Sequence, residues 1–131
     1  MRKNKDIINE WVEKAEGDYE TVLDLRKKRR KRQQYIIAFH CQQCIEKYLK
    51  ALLASREIEF PKQHDLEELL VLLLQNDPLL SAIRNELKEL TPFAVSFRYP
   101  GEQITKEEFK RAINNMKYVR GILRERLGLK V

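Results

Sequence analysis

Apolar residues along this chain recur mostly at helical spacing. Between Lys5 and Arg26, one face collects Ile8, Trp11, Val12, Ala15, Tyr19, Val22 and Leu23, which predicts a first helix. The longest uninterrupted stretch is Gln33 to Glu57, 25 residues without Gly or Pro, whose second half is rich in good helix formers. At about 1.5 Å per residue it spans roughly 37 Å. Its main stripe holds Ile37, Ala38, Cys41, Cys44, Ile45, Tyr48, Leu49 and Leu52. The opposite stripe carries His40, Gln43, Lys47 and Lys50, with Ile36 and Phe39 near its start. Apolar residues on both sides predict a helix that is central or shared with a second chain. Ile36 and Phe39 left exposed would form a patch, so they are expected at a dimer contact.

The second half of the chain predicts shorter elements. Ile58 to Gln63 reads as a loop, closed to helix by Pro61. A third helix starts at His64-Asp65, with Asp65 as cap and Leu66, Leu69, Leu70, Leu73 and Leu74 as its apolar face. Asp77-Pro78 reads as the cap and first position of a fourth helix, with Leu79, Ile83, Leu87 and Leu90 facing inward. From Phe93 to Pro100 the period changes to two: Phe93, Val95, Phe97 and Tyr99 alternate with Ser96 and Arg98. This predicts an extended strap anchored on the bundle by its aromatics, with Ser96 and Arg98 facing the other way. Thr105 to Glu108 is a capping box opening a last helix that carries Phe109, Ala112, Ile113, Met116, Val119, Leu123 and Leu127 as far as Gly128. The fold expected is all-α: an antiparallel bundle of about five helices, in one domain over residues 1–131, with the strap before the last helix.

Composition adds bounds. Apolar content of 43% is enough for a core, and 35% charged residues with four glycines suit a solvated helical surface. No apolar run reaches membrane-spanning length. The N-terminus has no apolar leader segment, which reads as cytoplasmic. Both cysteines, Cys41 and Cys44, fall on the core stripe and read as buried thiols rather than a metal or redox pair. The net charge of +6 is concentrated in Arg26 to Arg32, seven consecutive basic residues; +6 less these seven leaves the rest at −1. The block reads either as a solvated turn at the end of the first helix or as a contact for nucleic-acid phosphates. Asp18 lies close to the buried face, where a carboxylate needs a partner. The histidines are His40 and His64, and His40 with Gln43 and Lys47 makes no convergent ligand set, so neither metal nor cofactor is expected.

A set of spaced motifs carries a family resemblance. Trp11 with Ala15 and Asp18, then FHCQQCIEKYLKAL at 39–52, then Gln63-His64-Asp65-Leu66, then Phe97-Arg98-Tyr99-Pro100 together resemble the HEPN ("higher eukaryotes and prokaryotes nucleotide-binding") domains over nearly the whole chain. The resemblance implies an all-α bundle, commonly a homodimer. It also implies a small nucleotidyltransferase protein as partner, in a toxin–antitoxin pair. Several branches of that family are metal-independent ribonucleases using an Arg followed, after four to six intervening residues, by a His. Here no histidine follows Arg98.

By that resemblance Arg98 and Tyr99 match the family's Arg-containing loop, and His64 and Asp65 its mid-chain motif. Gln43, Glu46, Lys47 and Lys50 match its central helix. The nucleotide- or phosphate-binding residues expected are therefore Arg98, Tyr99, His64, Gln43, Lys47 and Lys50. An Arg fork suits phosphate, a Tyr ring can stack on a base, and a Lys adds a point charge. Each also has a structural reading. Glu46 and Lys50 are an ordinary i,i+4 pair. His64 can cap a helix, and Arg98 can bind Asp18 or a helix end. The function expected is a homodimeric module binding nucleotide or RNA phosphate. The alternatives are a ribonuclease toxin lacking the Arg–His spacing, and a structural partner-binding bundle.

Overall fold

The computed structural model describes residues 4–95 and 97–131. Ser96, expected on the Arg98 side of the strap, lies outside the described residues. Helix α2 (Gln34–Ser55) is buried on several sides, as its two apolar stripes require. Helix α1 (Asn4–Lys27) packs along it in the opposite direction. The Asn4 amide donates to the Ala54 carbonyl near one end, and Asp18 meets His40 and Lys47 nearer the other. Helix α5 (Lys106–Arg126) covers another side of α2. It runs antiparallel to α1 and therefore in the same sense as α2: Arg120 reaches Glu16, and Arg124 reaches Tyr48. Helices α3 (Leu66–Leu74) and α4 (Arg84–Leu90) lie along the bundle, α3 against α2 and α4 against α5, in a segment that meets α2 near its end through Asp77 and Arg56 and near its start through Phe93 and Tyr35. Among the described residues there is no strand, and no helix is long and apolar enough to cross a membrane.

The terminal signals act where the sequence places them. Asp65 accepts from the backbone N–H groups of Glu67 and Glu68 at the start of α3. Thr105 and Glu108 form the reciprocal capping box of α5. Helix α2 ends in a Schellman turn, with Ile58 N–H bonded to the Leu53 carbonyl and Glu57 N–H to that of Ala54. Glu57 takes the left-handed conformation there, at φ 56°.

Two expectations for the fourth helix need correction. Pro78–Ile83 is a 3₁₀ segment, and only Arg84–Leu90 is α-helical. At three residues per turn, Leu80 and Ile83 share the inner face, while Leu79 is 78% exposed. Asp77 makes no capping bond. Its Oδ2 accepts instead from Arg56 Nη2 and Arg126 Nε, both at 2.9 Å, which ties the ends of α2 and α5 together. Burial raises the Asp77 pKa, but the two guanidinium groups outweigh that and hold it below the usual carboxylate range.

The strap also reverses one expectation. Phe93 is buried in a short 3₁₀ turn, Thr91–Phe93, but Val95, Phe97 and Tyr99 face solvent, and Arg98 is the side chain held inward. The surface beneath the strap explains this. It presents the faces of Tyr35 and Phe93 and the carboxylate of Glu108. Those groups favour a guanidinium over a second layer of rings.

Candidate functional site

Two groups of polar residues stand out. The first lies along α2. Glu46 is buried, and its carboxylate accepts from Lys50 Nζ at 3.0 Å and from the Gln42 amide at 3.1 Å. His64 Nδ1 lies 2.9 Å from Glu46 Oε1, and the Gln42 amide also donates to the His64 carbonyl. Gln43 donates to Gln42 Oε1 at 2.7 Å. Lys50 lies over the Trp11 ring, 5.5 Å from its centroid. One turn away, Asp18 accepts from Lys47 Nζ at 2.5 Å and pairs with His40 Nδ1 at 2.8 Å. This gives Asp18 the partner that its place near the core demands. Gln43, Lys50 and His64 are thus joined in one network, and Lys47 belongs to a neighbouring one. Both lysines are already neutralised by carboxylates. The expected i,i+4 pair of Glu46 and Lys50 is present, but buried, and Gln42, which bridges it to His64, was not among the residues singled out from the sequence.

The second group is a cleft of about 340 Å³ between the basic block, the start of α2 and the strap. Lys31, Arg32 and Arg98 supply its positive charge, Glu102 adds one carboxylate, and Tyr35 and Phe97 line it with rings. Arg98 is fixed in the wall. Its guanidinium carbon lies 5.1 Å from the Tyr35 ring centroid and 5.2 Å from that of Phe93. Nη1 donates to the Gln103 carbonyl at 3.2 Å, and Nη2 lies 3.5 Å from Glu108 Oε2. Glu108 is held below the usual carboxylate range, first by the Thr105 backbone N–H and further by Arg98. Two of the five guanidinium N–H donors face these partners, and a planar group locked between rings is suited to present the others in a fixed direction. Tyr99 is 69% exposed on the strap, its ring edge-to-face with Phe97 at 5.5 Å. Among the described residues no hydrogen bond, ion pair or ring contact links Arg98 or Tyr99 to the α2 network.

A third constellation is structural. Arg120 binds Glu16 with two bonds, at 2.6 and 2.8 Å, and lies over the Tyr19 ring. The buried Tyr48 donates to Glu16 and accepts from Arg124. Burial raises the Glu16 pKa, but Arg120 and Tyr48 together bring it below its ordinary value. No periodicity announces this clasp, since its members lie on three helices. Cys41 and Cys44 are fully buried, and burial pushes both thiols far up in pKa. Among the described residues no group of three His, Cys, Asp or Glu side chains could hold a metal ion.

The sequence profile of the HEPN domain matches residues 8–126. The crystal structure of an archaeal HEPN homologue aligns with a TM-score of 0.65 at 24% identity. The alignment covers 94% of this chain and 99% of that one, and at this identity the likeness concerns the fold. No curated protein matches the sequence.

Proposed function

Because the chain belongs to the HEPN domain family, we propose that it is a nucleotide- or RNA-phosphate-binding module whose site is the cleft between the basic block and the strap. The observation that supports this most is that Lys31, Arg32 and Arg98 line one cleft together with Tyr35 and Phe97. Cations supply phosphate attraction, and the exposed Phe97 ring supplies a stacking surface for a base, while the half-buried Tyr35 ring backs Arg98. Tyr99 extends the stacking surface along the strap. In this reading Gln43, Lys47, Lys50 and His64 serve the helix packing, because the two lysines are paired with Asp18 and Glu46 and the other two side chains are hydrogen-bonded to Gln42 and Glu46.

The test is binding of a fluorescent single-stranded RNA across a salt series. Affinity should fall steeply with salt, by about 0.7 log units per log unit of salt for each phosphate engaged. Changing four of the seven block residues to Gln should flatten the slope without unfolding the domain. A salt-independent affinity, or an unchanged slope in the variant, removes the block from the site.

One observation favours a second reading, a metal-independent ribonuclease. The His64 side chain is 69% exposed, while its Nδ1 is held by a carboxylate that is 4% exposed. A carboxylate in that place fixes the imidazole tautomer and leaves Nε2 able to exchange a proton. Cleavage of total RNA by the purified protein, lost in His64→Ala and in Arg98→Ala, decides for this reading. Intact RNA decides against it.

The proposal includes a homodimer, supported by the 42% exposure of Ile36 beside the cleft and by the apolar strap surface. Sedimentation as a monomer at micromolar concentration refutes it. The nucleotidyltransferase partner and the toxin–antitoxin role rest on the family resemblance alone.

A further inference from the structure

The fold divides the basic run between two clefts. Helix α1 carries it as far as Lys27. Arg29 then takes the left-handed backbone conformation at φ 51°, and a short 3₁₀ turn, Lys31–Gln33, leads into α2. As a result Arg26, Arg29 and Arg30 line a second cleft of about 270 Å³, with Phe109 in its wall. Lys31 and Arg32 line the first cleft, with Arg98. Gln34 lines both, so the two clefts adjoin at that side chain. The left-handed conformation is unfavourable for a non-glycine residue. A continued helix would instead have spread these side chains around its whole circumference. Among the described residues, none of the five cations lining these clefts from the block is paired with a carboxylate of the chain.

We propose that the two clefts are halves of one site for a ligand carrying two phosphate groups one nucleotide unit apart. The inference rests on the phosphate-binding reading and gives it a ligand class. The five cations outnumber the single carboxylate lining the two clefts, Glu102, and so repel one another across Gln34. A single phosphate relieves one cleft, and a ligand with two phosphates relieves both while spanning one amide side chain. Two sources share this chemistry: a ribonucleoside 3′,5′-bisphosphate, and successive phosphates of a single-stranded RNA.

The test compares adenosine 5′-monophosphate, adenosine 3′,5′-bisphosphate and a hexameric oligoadenylate by isothermal titration at several salt concentrations. Three proteins are used: the native chain, Arg29→Gln with Arg30→Gln, and Lys31→Gln with Arg32→Gln. The bisphosphate should bind the native chain at least tenfold more tightly than the monophosphate, with about twice the salt slope. Each double substitution should lower its affinity about tenfold, whereas the monophosphate should respond to only one of them. The bisphosphate binding that remains in each variant, set beside unchanged circular dichroism, shows that both are folded. A hexamer that outbinds the bisphosphate tenfold identifies RNA as the source; equal affinity identifies the free bisphosphate. If the monophosphate binds and a second phosphate adds nothing, the two-cleft site is refuted while the phosphate-binding reading stands. If none of the three binds, both fall.

Discussion

Arg98 separates ligand recognition from strap anchoring. Replacing it by Lys keeps the charge and loses the planar fork. On the structural side, Arg98 makes a bond to the Gln103 carbonyl at 3.2 Å and a loose pair with Glu108 at 3.5 Å, and packs on two ring faces. A hydrogen bond of this kind is worth about 1 kcal/mol, each ring contact about 0.5 kcal/mol near the surface, and a solvent-screened pair of this length close to nothing. The anchor thus amounts to about 2 kcal/mol. Unfolding a domain of this size should shift by about 4 °C per kcal/mol. The strap can loosen without the helices separating, so Tm should fall by less than about 8 °C. On the ligand side, losing a charged bidentate contact costs about 1.5–3 kcal/mol, roughly 10- to 150-fold in affinity. Arg98→Lys should therefore weaken binding nearly as much as Arg98→Ala. Anisotropy with labelled RNA, set beside thermal melts of both variants, reads both quantities. A fall in Tm with unchanged affinity per folded molecule would make Arg98 an anchor of the strap and nothing more.

Three further outcomes follow from the packing. Glu16→Gln removes the charge that Arg120 and Arg124 share, so stability at neutral pH should fall by about 2 kcal/mol, a value tempered by partial exposure. Because the folded-state pKa of Glu16 is depressed, its contribution is present above the ordinary 4.5 and is lost as pH falls through the folded value. Urea titrations from pH 6 to pH 3 should therefore show the native chain converging on the variant, and a constant gap contradicts this. Glu57→Gly should raise stability by up to about 1 kcal/mol, since glycine is free of the left-handed penalty at that C′ position; a lowered Tm contradicts it. Cys41 and Cys44 should resist an aromatic disulfide reagent in the folded protein and react once it is unfolded, and fast reaction without denaturant contradicts their burial.

The helices were readable from periodicity because burial follows it: Ile37, Cys41, Ile45, Tyr48 and Leu52 all lie in the core. The caps at Asp65 and Thr105 were readable because capping chemistry is local. What escaped depends on partners distant in sequence. Alternation in the strap gave two faces but not which one lies inward; that is decided by Tyr35, Phe93 and Glu108. Asp77 looks like a cap until Arg56 and Arg126 claim it. Leu79 looks buried until the 3₁₀ pitch hands its place to Leu80. At the candidate site, Arg98 and the basic block were each visible as separate features. Their meeting in one cleft was not, because 65 residues lie between Arg32 and Arg98.

The most direct test is to titrate adenosine 3′,5′-bisphosphate, with inorganic phosphate as the control, into isotope-labelled protein and follow the backbone amides. A chain of 15.7 kDa is within easy range of such spectra. Saturable shifts should cluster at Arg30, Lys31, Gln34, Tyr35, Arg98 and Gln103, leaving Gln43, Lys47 and Lys50 unmoved. Shifts centred on His64 and the Gln43–Lys50 stripe, or no saturable shift at all, would contradict a phosphate site between the basic block and the strap.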